Sequence, residues 1–201
     1  MRNIRFILSS IFTLLLLSGL NMSVAARDSS AINANTILKD AASCVTLAGV
    51  WNSSLNVCSV SARIALTTGD SLEIVDGVGL IARGEIDNEG KILNNGILFL
   101  YGRLDNEDEG TFTNKNITVI PEFGRIDNQN KVTNDGLILN SDLISTSGTG
   151  ATVLNNGTID NLCRGKVEGS LSGNAPINDA SSPECFGQFP NKMIFLPLTF
   201  R

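Results

Sequence analysis

Three short segments, "EIDNEG", "RLDNED" and "RIDNQN", put Asp87, Asp105 and Asp127 at matching places, with Glu85, Arg103 and Arg125 two residues earlier. In extended chain, residues two apart share a face. The carboxylates and guanidiniums should therefore point one way, and Ile86, Leu104 and Ile126 the other. A row of carboxylates can hold Ca²⁺, or act in a groove as the acid and base of glycoside hydrolysis. Against both, stacked like charges repel, and the adjacent arginines can neutralise them without a metal. No Ca²⁺-binding GGxGxDxUx nonapeptide is present. The expectation is a solvated charge ladder with no catalytic residue, metal or cofactor. Asp87, Asp105, Asp127, Arg103 and Arg125 make up its candidate ligand face. Trp51, the only tryptophan, is the remaining candidate, since an indole face suits a sugar ring; its other use is packing over the first turn of the fold.

The chain contains no histidine. That excludes Ser-His-Asp and Cys-His catalysis, HExxH metal sites and imidazole acid-base chemistry. Twenty acidic residues against fifteen basic ones, and 5% aromatics, argue against a nucleic-acid partner. Arg2 and Arg5, the apolar run from Phe6 to Leu20 and the small residues Ser23 to Ala26 read as a signal peptide over 1–26. Its removal takes away two arginines and no acid, leaving 13 basic against 20 acidic residues, a net charge of −7. The mature chain is thus expected to be secreted or held at the cell surface, without stable membrane insertion. Cys44, Cys58, Cys163 and Cys185 all follow that segment, and in an oxidising compartment they suggest two disulfides. Local pairing, Cys44 with Cys58 and Cys163 with Cys185, is the preferred connectivity of the three available.

What must position these residues is a repeat. Ile92 and Asn94 recur as Phe112 and Asn114, Val132 and Asn134, then Val153 and Asn155, in steps of 20, 20 and 21. Leu72 lies 20 residues before Ile92, and Asp76-Gly77 stands where Asn95-Gly96 follows. A second series runs through Asn88, Asn106 and Asn128 and is extended to Ile159-Asp160-Asn161; "NEDEGTF" against "NEGKI" marks a two-residue insertion. Asn-Gly between apolar runs is also a hairpin signal, so a hairpin array or β-sandwich is the competing architecture. Isolated two-stranded units are marginal in water, however, and a period near 20 marks a solenoid. The predicted fold is all-β: a short single-stranded parallel β-solenoid of about five rungs, with disulfide-closed caps. Ile86, Ile92, Ile97 and Phe99 are its inward candidates. The recurrent asparagines are expected at left-handed corners, stacked as amide ladders, and Gly90, Gly96, Gly110, Gly136 and Gly157 at corners needing positive φ.

"IDNEGKILNNGIL" and "VLNNGTIDN" resemble the Asn/Gly-rich repeats of parallel β-helix surface proteins, the haemagglutinin- and autotransporter-type adhesins. That resemblance, over about residues 64 to 161, implies a passive structural module at the cell surface. The expected organisation is a signal peptide (1–26), an N-terminal cap (27–62), the solenoid (63–162) and a C-terminal cap loop and tail (163–201). In the first cap a short helix over 28–43 precedes a disulfide-closed hairpin. The apolar tail 193–196 is expected to pack on the body. The function implied is a non-enzymatic structural or adhesion protein whose partners are surface glycans or proteins. A carbohydrate-binding or polysaccharide-degrading β-helix protein is the alternative. The sequence leaves the oligomeric state open.

Overall fold

The computed structural model describes residues 35–179. The expected signal peptide, Cys185 and the apolar tail lie outside them, as does the start of the predicted helix. Strand β1 (Thr36–Leu38), helix α1 (Ala41–Thr46) and strands β2 (Val50–Asn52) and β3 (Val57–Val60) come first. Turns of three strands follow. The first comprises β4 (Ile64–Leu66), β5 (Ser71–Ile74) and β6 (Gly79–Ala82), the second β7 (Ile86–Asn88), β8 (Lys91–Asn94) and β9 (Ile97–Leu100). The third has β10 (Arg103–Asn106), β11 (Thr111–Asn114) and β12 (Ile117–Ile120). The fourth has β13 (Arg125–Asn128), β14 (Lys131–Asn134) and β15 (Leu137–Asn140). The fifth has β16 (Leu143–Thr146), β17 (Thr152–Asn155) and β18 (Thr158–Leu162). The sixth has β19 (Lys166–Glu168), β20 (Leu171–Gly173) and β21 (Ile177–Asp179).

Every third strand joins one sheet. The first sheet runs β4-β7-β10-β13-β16-β19, the second β1-β5-β8-β11-β14-β17-β20, and the third β2-β3-β6-β9-β12-β15-β18-β21. Among the described residues all pairings are parallel except β2 with β3. The chain is therefore a three-sided parallel β-solenoid of about six turns, roughly 29 Å along its axis at ~4.8 Å per turn. Ile92, Phe112 and Val132 lie directly over one another, with Leu72 before them and Val153 after. Each is buried, and such columns form the core. The two-residue insertion sits where expected, in the corner between Asn106 and Thr111.

Several expectations need correction. The coil exceeds 63–162: β1 and β3 pair onto its start, and residues 163–179 form a sixth turn rather than a loop. Gly, Ser and Asn there serve short strands that pair along the axis, so loop-like composition misleads. Ile159-Asp160-Asn161 belongs to the third sheet, over Ile138 to Asn140; the partner of Ile126 in the first sheet is Ile144. Asp76-Gly77 widens its corner, because Ile74 aligns with Asn94 but Gly79 with Ile97, and Gly77 takes φ 75° there. Ile97 and Phe99 face outward, while Leu98 and Leu100 are the buried pair.

The corner chemistry also differs. Among the described residues, non-glycine positive φ occurs at Ala48, Asn56, Phe123 and Cys163, not at the recurrent asparagines. Those close their strands with side chains turned inward and buried. Gly90, Gly96, Gly110, Gly136 and Gly157 do not have positive φ either. They are glycines for want of space: a Cβ would overlap a main-chain oxygen of the preceding turn, that of Asn88 beneath Gly110. Such a Cβ would also stand 2.8 Å from Asn106 Oδ1. Gly110→Ala should therefore wedge two turns apart and cost about 1–3 kcal/mol. A thermal melt checks it; an unchanged midpoint would contradict the close approach.

The cap is built differently from the expectation. Thr36–Leu38 is a strand pairing with β5, and the helix begins only at Ala41. Asp40 accepts from the Ser43 N–H and the Ser43 hydroxyl accepts from the Asp40 N–H, a capping box that sets this start. Cys44 on α1 is bonded to Cys58 on β3, so the disulfide ties the helix to the hairpin's second strand instead of joining the hairpin's two strands. Trp51 on β2 packs against the core, half-buried. Cys163 is also disulfide-bonded.

Candidate functional site

The outward face of the first sheet carries the predicted charge row. Register places Arg103 beside Arg125, and Asp105 between Asp87 and Asp127. Arg103 is the hub. Its guanidinium donates to Glu85, with Nε at 2.8 Å, and lies 3.0 Å from Asp105 and 3.7 Å from Asp127. Arg125 pairs with Asp127, and Arg63, which the sequence reading missed, pairs with Asp87 and lies 3.9 Å from Glu85. The hydrogen bond to Glu85, then the neighbouring aspartates, hold the Arg103 pKa above its ordinary value against the opposing effect of burial. Three guanidiniums thus interleave with four carboxylates. Arg63 precedes β4 by one residue, so its membership could be read only once Ile64 was known to lie under Ile86. Lys166 and Glu168 repeat the pattern at the far end, 2.6 Å apart.

One oxygen each of Glu85, Asp87 and Asp105 lie within 4.8 Å of one another, the spacing of a cation site. Arg63 and Arg103 already bind that cluster. Guanidinium in this position supplies the positive charge a metal would bring, so the donor set favours a salt-bridged ladder over Ca²⁺. Trp51 does not join this group: its strand belongs to the third sheet. The predicted ligand face therefore divides into the five charged residues on one side of the coil and an indole at its N-terminal end.

A second acidic group lies at the corner after the first sheet. Glu89, Glu107, Asp108 and Glu109 line a shallow depression with Thr68, whose hydroxyl donates to Glu109 at 2.9 Å. Partial burial, then repulsion from Glu89 and Asp105, raises the Glu107 pKa. With the folded pKa above the unfolded one, the ionised form disfavours folding. The cost is absent below the unfolded carboxylate pKa and appears as pH rises through the folded value. Glu107→Gln should accordingly stabilise the protein slightly at about pH 7, by under about 1 kcal/mol, and leave it unchanged near pH 3. Denaturation at the two pH values checks the sign.

No family model, curated protein or solved structure matches this chain. Its distinguishing feature is internal: among the described residues, three amide ladders, buried except at Asn178, run one at each corner of the coil. At the first corner, Asn88 Nδ2 donates to Asn106 and Asn106 to Asn128, at 2.7 and 2.8 Å. At the second, Asn94, Asn114, Asn134 and Asn155 follow in the same way at 2.7–2.8 Å. At the third, Asn140 donates to Asn161 and Asn161 to Asn178. Most of these amides spend a second N–H on a main-chain carbonyl across the corner, as Asn114 does on Leu137. Repeat spacing marks the first two ladders; Asn161, expected in the first, belongs to the third with Asn140 and Asn178, which the spacing does not single out.

Proposed function

We propose that this chain is an exported, non-enzymatic β-solenoid, a small rigid module serving at the cell surface or in the surrounding matrix. One observation carries the reading: the candidate acid row is tied up by arginines on the outward face of a sheet. Catalytic carboxylate pairs need room for substrate between them, and one must keep a proton. Here Asp105 and Asp127 share Arg103. The buried polar residues are spent on holding one turn to the next. Export is supported by the charged, apolar and small-residue segments of 1–26 and by the Cys44–Cys58 disulfide, a bond suited to an oxidising compartment. Surface glycans or proteins are the partners that fit. Fractionation of expressing cells, with glycan-array and pull-down assays on the purified protein, tests this reading. Confinement to the cytoplasm, or release of sugars from a polysaccharide, would refute it. Carbohydrate binding at the charged face is the second reading, favoured by the clustering of Glu85, Asp87 and Asp105. It requires Asp105→Asn to abolish glycan capture while the melting temperature holds.

A further inference from the structure

The third sheet has an outward face unlike the other two. Its strands alternate, with Leu98, Leu100, Thr118, Ile120, Ile138 and Asn140 buried inside. The outward positions of β9, β12 and β15 are Ile97, Phe99, Ile117, Val119, Leu137 and Leu139, all apolar and all partly exposed. Register aligns them as two columns, Ile97-Ile117-Leu137 and Phe99-Val119-Leu139. Ile81 of β6 extends the second column, and Thr158 and Asp160 of β18 end both with polar groups. The corresponding columns of the first sheet carry the ion pairs, and those of the second mix Leu93 and Leu154 with Lys91, Lys131, Thr113 and Thr133. A polar or mixed outward face suffices for this fold, so apolar residues in both columns of three successive turns are not required by folding. Among the described residues nothing covers them: every strand lies within one of the three sheets, and helix α1 packs on β1, β2 and β3 at the start of the coil.

We propose that the outward face of β6, β9, β12 and β15 is the docking site of the chain's own apolar segment 193–196, "MIFL", which lies outside the described residues. This goes beyond the scaffold reading and does not depend on where the protein resides. Two observations select this occupant. The first is where the chain leaves the coil. Asp179 ends β21, a strand of this same sheet that is separated from β15 only by β18. Residues 180–192 then lead to Met193, and thirteen residues reach up to roughly 43 Å. From β21 to β6 is five strand spacings, about 24 Å, so the segment can reach any part of the face. Four extended residues span ~13 Å, close to the ~14 Å from β6 to β15. The second observation is area. Four strands of four residues make a face of roughly 250 Å², and two copies joined there would cover about 500 Å² in total. Stable complexes begin at about 1,200 Å². A segment tethered beside the face is present at an effective concentration on the order of millimolar and needs far less contact. Four consecutive apolar residues also suit a furrow between two columns. Successive side chains of an extended segment point to opposite sides, so Met193 and Phe195 meet one column and Ile194 and Leu196 the other.

Trypsin cleavage after Lys192 in the purified protein, with its C-terminus intact, tests this. Docking holds Met193 against the sheet, so cleavage waits for the segment to lift, and release of residues 193–201 follows the open fraction. Ile117→Asp and Val119→Asp, one in each column, should each speed that release about tenfold or more. Thr133→Asp on the second sheet should not. Circular dichroism melts establish that each variant is folded. Contact is read directly with a benzophenone amino acid replacing Phe195, irradiated in an equal mixture of isotope-labelled and unlabelled protein. The expected product is a crosslink within one chain to residues 97–99, 117–119 or 137–139. Crosslinks joining labelled to unlabelled chains would give the face to a second copy and overturn the proposal. So would the absence of any crosslink to these columns, or column variants cut no faster than the parent.

Discussion

Asn114→Leu is expected to remove about 3–5 kcal/mol of stability, enough to halve the margin of many domains of this size. Asn114 sits mid-ladder. Its oxygen accepts from Asn94 and from the Thr118 hydroxyl, and its amide donates to Asn134 and to the Leu137 carbonyl, with all three side chains fully buried. Leucine is close in volume, so the loss is polar: several groups are left without their partner where water cannot replace it. A donor or acceptor stranded in this way costs about 1–3 kcal/mol. Asn114→Asp should be no better, because a carboxylate cannot donate to Asn134 and Leu137. Denaturant unfolding of the variants measures the effect; a leucine variant within about 1 kcal/mol of the parent would show that the ladder is incidental.

Phe112→Ala should cost a similar amount, about 3–5 kcal/mol, by a different mechanism. Phe112 heads the fully buried side chains by volume and is stacked between Ile92 and Val132. In many cores part of such a cavity closes as neighbours move in. Here the turns above and below are held at fixed spacing by parallel ladders on three sides and by asparagine amides two residues away, at Asn114. The cavity should stay open, which places the loss toward the upper end of that range. Because each turn rests only on its neighbours, damage in the third turn weakens the junction between the two halves of the coil. Phe112→Leu, which keeps most of the volume, should cost about 1 kcal/mol, and the difference between the two variants isolates the cavity contribution. An alanine variant losing under about 1.5 kcal/mol would mean that the turns can slide together.

The two variants act on the features that the repeat made legible. Equivalent residues about 20 apart can superpose only if the chain coils, so the column through Leu72, Ile92, Phe112, Val132 and Val153 followed from spacing alone. The opposite faces of Ile86 and Asp87 followed from simple alternation. Alternation failed where nothing polar marked its phase. "ILFL" fits with either pair inside, and the inward choice of Ile97 and Phe99 was wrong. The neighbouring turns hold the answer, since "LILN" buries its asparagine and "ITVI" its threonine, but only the pairing register makes those segments equivalent.

What the amino-acid sequence determined by itself is the period, the short strands, the absence of imidazole chemistry and the placing of acid beside arginine, because each depends on residues a few positions apart or on composition. Only the tertiary structure decided the rest. It set three sheets per turn, drew Arg63 into the charge ladder, gave Asn161 to a third corner, ran the coil on to residue 179 and turned an apolar face outward. Each of these depends on which turn a strand pairs with. A corner of two or four residues shifts that pairing without altering the local pattern on either side, so the outcome is settled by hydrogen bonding between turns rather than by preferences along the chain.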